Sequence, residues 1–139
     1  MEEANPRIRP LAVAIVRNGS KILAEKGYDS KKQEGYYRLM GGTIEFAETA
    51  SSALVREFRE ELGADITVGK QLKVVQNIFE WEGKKGHEIC FVYEAEFADA
   101  SLYGLEKLPI VDELAARTFA EWVQPADDVK IYPLHPKDI

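Results

Sequence analysis

Hydrophobic and polar positions follow strand-like spacing along most of this chain, with one clear exception. Leu11 to Val16 is an unbroken apolar run (Leu-Ala-Val-Ala-Ile-Val) and predicts a strand covered on both faces. Asn18-Gly19 is a hairpin signal, so residues 21–26 are read as the returning strand. Tyr28 to Gly35 is polar without periodicity and reads as an exposed loop, followed by a short strand from Tyr36 to Met40 that ends at Gly41-Gly42. The exception follows: Leu54, Val55, Phe58 and Leu62 recur at helical spacing, with Thr49 placed as N-cap and Gly63 as C-terminal cap. Beyond the helix, Ile66 to Trp81 predicts one long bent strand or two, and Glu82 to Gly86 a turn. His87 to Phe97 is the hairpin partner, with Ile89, Phe91, Tyr93 and Ala95 on one face. Ala98 to Pro109 is irregular with room for a short strand, Asp112 to Arg117 suits a helical turn, and Thr118 to Val123 is a last strand. Pro133 and Pro136 leave space only for a short helix around Asp127 to Ile131. Many strands around one strong helix predict an α/β (α+β) fold, a mixed β-sheet sandwiched between helices.

Composition narrows the class. The 139 residues, 45% of them hydrophobic, suit one domain over 1–139 with a real core and a loose lead-in at 1–8. A net charge of -6 and a pI near 5.0 argue against a broad grip on duplex nucleic acid. They leave room for a phosphorylated small molecule, because a bound cation reverses the local sign. The single cysteine, Cys90, excludes an internal disulfide and, between Ile89 and Phe91, reads as an inert buried thiol. The first nine residues lack a signal-type apolar core, and no run approaches the roughly 18 apolar residues of a membrane helix. The expectation is a cytoplasmic protein with no membrane partner, whose exposed strand edges offer a route to a homodimer.

The helix carries the most specific chemistry. At about 100° per residue, Glu61 falls about 40° from Glu57 and Glu60 about 60° to its other side, all beside the apolar stripe. Ala50 and Ala53 lie on the same acidic side, where small side chains permit close approach. Glu57 and Glu61 are like charges at i, i+4, which costs roughly 0.2–0.5 kcal/mol. Glu60 and Glu61 also occupy the last turn, where the helix dipole disfavours a negative charge by roughly 0.3–1 kcal/mol each. Arg56 offsets part of this. A divalent cation would remove the repulsion, and clustered carboxylates suit hard ions such as Mg²⁺, Mn²⁺ or Ca²⁺. Taken singly, a glutamate-rich helix is more often a solvated face and a double glycine more often a plain turn.

Their joint spacing changes that balance. Gly42, Glu48 and the run Arg56-Glu57-Phe58-Arg59-Glu60-Glu61-Leu62-Gly63 resemble the Nudix box, Gly-x5-Glu-x7-Arg-Glu-U-x-Glu-Glu-x-Gly-U with U a bulky aliphatic residue. Every fixed polar and glycine position is matched. Phe58 puts an aromatic at the first U, and Ala64 is small for the last, unless Ile66 supplies that packing. Met40 stands where many relatives have proline. The resemblance implies Mg²⁺- or Mn²⁺-dependent hydrolysis of a nucleoside diphosphate linked to another moiety. It implies Glu57, Glu60 and Glu61 as metal ligands, Glu48 and Arg56 as a supporting pair, and the backbone carbonyl of Gly41 or Gly42 as a further ligand.

Residues outside the box are assigned more loosely. Arg38, on the strand entering the box, is the first candidate for a phosphate contact, and Glu88 for an extra carboxylate ligand or general base. His87 reads as polar rim and His135 as surface. Tyr36, Tyr37, Phe79, Trp81 and Tyr103 are candidates for stacking on a base, although strand aromatics are more often core. The substrate expected is a nucleoside triphosphate or a small nucleotide sugar. The alternative is a Nudix-fold module that binds or senses a nucleotide without turning it over.

Overall fold

The computed structural model describes residues 6–111, 118–135 and 138–139. The helical turn expected at Asp112 to Arg117 lies outside them. The described chain forms β1 (Arg9–Ile15), β2 (Arg17–Asn18), β3 (Lys21–Asp29), β4 (Glu34–Thr43), α1 (Ala50–Leu62), β5 (Ile66–Trp81), β6 (Lys84–Phe97), a 3-10 turn at Ala100–Gly104, β7 (Lys107–Ile110), β8 (Thr118–Val123) and β9 (Ile131–Tyr132). The strands run in the order β5-β6-β1-β4-β3-β8-β7, with β2 beside β3 and β9 beside β4. The sheet is mixed: β1 runs parallel to β6 and antiparallel to β4. β4 joins its two halves. Met40 to Thr43 pair with β1, and Glu34 to Leu39 pair with β3.

The apolar run of β1 is unbroken because both of its faces are covered. Ala12, Ala14 and Val16 enter a core with Ala53, Leu54 and Phe58 of α1. Leu11, Val13 and Ile15 enter a second core on the opposite face with Leu39, Cys90, Val92 and Ile131. The same holds for β6, lying between β5 and β1. Ala95 and Phe97 face the helix-side core, while Cys90 and Val92 face the other, so both parities are buried where one was expected.

The helix has the expected ends. Thr49 accepts a hydrogen bond from the Ser52 N–H at 3.2 Å, and Gly63 closes the helix in the left-handed region. Ala53 is fully buried, so its small side chain brings the helix close to the sheet. Ala64 is buried in the same core with Ile66 packed against it, together filling the place of a bulkier aliphatic residue. After α1 comes the 3-10 turn at Ala100–Gly104, and 127–128 form a turn with a bend at 129 rather than a short helix.

Three boundaries differ from expectation. The first hairpin turns at Gly19-Ser20, with Asn18 paired to Lys21. Residues 66–81 form one strand, bent by register shifts between Val68 and Lys73, and its hairpin turns on Glu82-Gly83 alone, both at positive φ. The third difference is the expected loop from Tyr28, because β3 continues to Asp29 and β4 starts at Glu34. Asp29 is only 3% exposed, because its carboxylate accepts backbone N–H groups of Lys31, Lys32 and Glu82. In return, Glu82 accepts from the backbone N–H and hydroxyl of Ser30. The β3–β4 and β5–β6 turns are thereby clasped together across β1, the one strand that separates the two hairpins in the sheet.

Candidate active site

The β4–α1 connection is built around Arg56. Its guanidinium grips Glu48 through two bonds, Nε to Oε2 at 2.8 Å and Nη2 to Oε1 at 2.9 Å. Nη2 also donates to the Thr43 carbonyl at 3.0 Å, and Nη1 to Glu57 at 3.0 Å and Glu60 at 3.3 Å. This bidentate pair ties the helix to the loop before it. The hydrogen bonds from Arg56 hold the Glu48 carboxyl at about 2, far below its usual range. The same bonds to the Glu48 carboxylate keep the Arg56 proton more firmly bound than usual.

With Arg56 on one side, Glu57 is turned towards the glycine turn. A Cβ added to Gly42 would lie 2.4 Å from the Glu57 carboxyl carbon, so the missing side chain is the space that carboxylate fills. Gly41 is needed for another reason, since its φ of 151° accompanies an approach in which a Cβ would lie 2.0 Å from the Ala12 carbonyl oxygen. Glu61 converges on Glu57. Burial, a side-chain hydrogen bond with Glu57 and the charge of Glu57 push the Glu61 carboxyl up to about 8. Glu60 stands apart, its side chain 59% exposed and turned to Arg56. Among the described residues no three acidic, histidine or cysteine side chains converge closely enough to cage an ion by themselves.

Glu57 and Glu61 open into a cleft between the β5–β6 hairpin and β4. Two depressions share Arg38, Asn77, Glu88 and Tyr132 and so form one continuous groove. Its acidic end is lined by Glu57, Glu61, Gly41, Gly42 and Arg9. Glu88, 9% exposed, faces it from β6 with Arg9 at 3.6 Å. Arg38 enters the cleft from β4 and is held by Glu25 at 2.9 Å. Cys90 is also on the wall, but burial and then the nearby Glu88 charge push its thiol up to about 12, which leaves it inert.

The other end is aromatic. Tyr36, Phe79, Trp81 and Tyr132 line it, and Tyr36 meets Tyr132 edge to face at 5.6 Å. Tyr36 lies over Gly27 and Phe79 over Gly86, its cross-strand partner in each case. The clasped turns supply the far wall through Asp29, Lys32 and Glu80. Of the five aromatics singled out in the sequence, Tyr36, Phe79 and Trp81 reach this cleft. Tyr37 packs on a core, and Tyr103 stacks on Trp122 at 5.5 Å. Arg9, Asn77 and Tyr132 were missed. Arg9 and Tyr132 sit at strand ends far from the box in sequence, and Asn77 looks like any polar residue of an alternating strand.

The chemistry of this donor set fits a hard divalent cation. Two carboxylates held together, one retaining its proton to stay there, are relieved by such an ion in place of the proton. No helix among the described residues is long and apolar enough to cross a membrane.

A family model described as the NUDIX domain matches residues 7–138. The chain is 43% identical over 63 residues to the CTP pyrophosphohydrolase of Escherichia coli, covering 45% of this chain and 46% of that protein. It is 36% identical over 62 residues to the NAD-capped RNA hydrolase NudC of Vibrio atlanticus, covering 45% of this chain and 22% of that one. These matches therefore span less than half the length of either relative. Among solved structures, a MutT NUDIX hydrolase from Burkholderia pseudomallei aligns with TM-score 0.60 at 24% identity, covering 85% of this chain and 84% of that one. A NUDIX family hydrolase from Clostridium perfringens aligns with TM-score 0.60 at 16% identity, covering 88% and 87%. At these identities the structural likeness bears on the fold.

Proposed function

Because the chain belongs to the NUDIX domain family, we propose that it hydrolyses the pyrophosphate link of a nucleoside diphosphate joined to another moiety, with a nucleoside triphosphate as first choice. One observation carries this reading: a single groove runs from an aromatic end to an acidic end flanked by two arginines. Aromatic faces hold a base by stacking, and arginine forks bind phosphate oxygens. The relative printed as a CTP pyrophosphohydrolase agrees with a triphosphate substrate.

Glu57 and Glu61 would hold Mg²⁺ or Mn²⁺, with Glu60 joining after its exposed carboxylate leaves Arg56 and the Gly41 carbonyl as a backbone donor. When bound, the ion supplies neutralisation of phosphate charge and a more acidic water. Arg56 and Glu48 hold the helix against the loop so that the carboxylates stay in register. Arg38 and Arg9 take the phosphate oxygens. Glu88 is the carboxylate facing the groove from the opposite strand, and we assign it the proton of the attacking water. For a triphosphate attacked at its α-phosphorus, the new bond is water oxygen to phosphorus, the bond broken is phosphorus to bridging oxygen, and the leaving pyrophosphate carries away the electron pair.

The test is release of nucleoside monophosphate and pyrophosphate from a substrate panel with Mg²⁺. Glu57→Gln and Glu61→Gln should each lose about 100-fold or more in kcat, the scale of a lost charge-stabilising group. Parent-like turnover by both would sink the site assignment. A non-hydrolysing nucleotide-binding module is the second reading, favoured by the absence of a three-carboxylate cluster among the described residues. Tight calorimetric binding without turnover under Mg²⁺ or Mn²⁺ would establish it instead.

A further inference from the structure

Asn77 lines both ends of the groove. It sits on β5 directly across from Glu88. It is half-buried, and its amide makes no hydrogen bond within the described residues. Charged neighbours in the groove are engaged: Arg38 with Glu25, Arg9 with Thr43 and Glu88, and Asp29 with three backbone N–H groups. The amide is thus a neutral group at the groove's midpoint whose donors and acceptor are left to a ligand.

Covalent order fixes what lies there. A nucleotide carries its sugar between base and phosphates. If the base stacks at the Tyr36–Phe79 end and the phosphates lie at the Glu57–Glu61 end, the sugar passes Asn77. An amide both donates and accepts, which matches a hydroxyl that does the same. It adds no charge that would attract or repel the phosphate chain.

We propose that Asn77 is a specificity-determining residue that reads the ribose hydroxyls, so that the groove selects ribonucleotides over deoxyribonucleotides. This rests on the nucleotide-hydrolase reading above. A site built to hydrogen-bond a hydroxyl rejects the analogue lacking it, because its own polar group is then stranded.

The experiment compares kcat/KM for ribonucleoside triphosphates with their 2′-deoxy and 3′-deoxy counterparts, with Mg²⁺, in the parent, Asn77→Ala and Asn77→Val. Val keeps a strand-favouring side chain without a hydrogen-bonding group, should Ala disturb the hairpin. Gln76→Ala, on the exposed face of the same strand, is the control. The parent should favour the ribonucleotide by about 5- to 10-fold, the worth of one neutral hydrogen bond. Both Asn77 variants should bring that ratio close to one, while Gln76→Ala keeps it. A parent ratio of one, or a ratio unchanged in both variants, overturns the assignment and leaves the hydrolase reading standing. A parent that hydrolyses none of these triphosphates overturns the triphosphate reading and this inference with it.

Discussion

At the scale of single residues, the two adjacent glycines make different demands. At Gly41 an added Cβ meets the Ala12 backbone, which is fixed in the β1–β4 ladder and cannot yield. At Gly42 it meets only the end of the Glu57 side chain, which can swing away. Gly41→Ala should therefore destabilise by about 2 kcal/mol or more, counting strain at positive φ and displaced backbone. Gly42→Ala should leave stability within about 1 kcal/mol yet lower turnover at least about tenfold through the displaced Glu57. Urea titration beside an activity assay separates them, and equal stability losses would refute the distinction. Ala47 shows the converse. It holds φ at 68° between the mutually bonded Glu45 and Glu48, in a region a side chain rarely adopts. Ala47→Gly relieves that strain but frees the unfolded chain, so the stability from urea titration should rise by no more than about 1 kcal/mol. A drop of similar size would show that no strain is stored there.

Among the elements, the helix and its glycine turn were legible in the sequence because the Nudix box is local. Its spacing, caps and charge pattern all lie between Gly41 and Ala64. The groove was not legible, because its walls come from β4, β5, β6 and the end at Tyr132, which meet only after the sheet forms. Nor does a buried Asp29 show in a polar stretch, since what buries it is Glu82 on a distant turn. One signal was present and unused: glycine inside a strand marks a close approach. Gly27 lies under Tyr36 and Gly86 under Phe79, and these pairs pick the stacking aromatics out of the five candidates. Gly86→Ala and Gly27→Ala should each tilt the ring above, raising KM about fivefold or more with kcat less affected, given about 1–3 kcal/mol per stacked base. An unchanged KM in both variants would remove these rings from the binding surface.

For the molecule as a whole, the paired carboxylates link folding to both protons and metal. Glu61 titrates at about 8 in the folded chain, above the ordinary glutamate value of about 4.3 in the unfolded chain. The folded state therefore binds more protons between these values. This contribution is fully present below about pH 4.3 and is lost as pH rises through about 8. A divalent cation competes with that proton, so its own stabilisation should run the opposite way and grow over the same window. Without metal, the melting temperature should fall from pH 5 to pH 8 by more in the parent than in Glu61→Gln. With Mg²⁺ at about 100 times its Kd at pH 8, the parent should gain about 2.7 kcal/mol, or about 5–10 °C, and much less at pH 5. Glu61→Gln should lose most of the gain at pH 8. A Mg²⁺ shift equal at both pH values, or intact in that variant, would show that the ion does not replace the Glu61 proton and that the Glu57–Glu61 pair is held together for another reason.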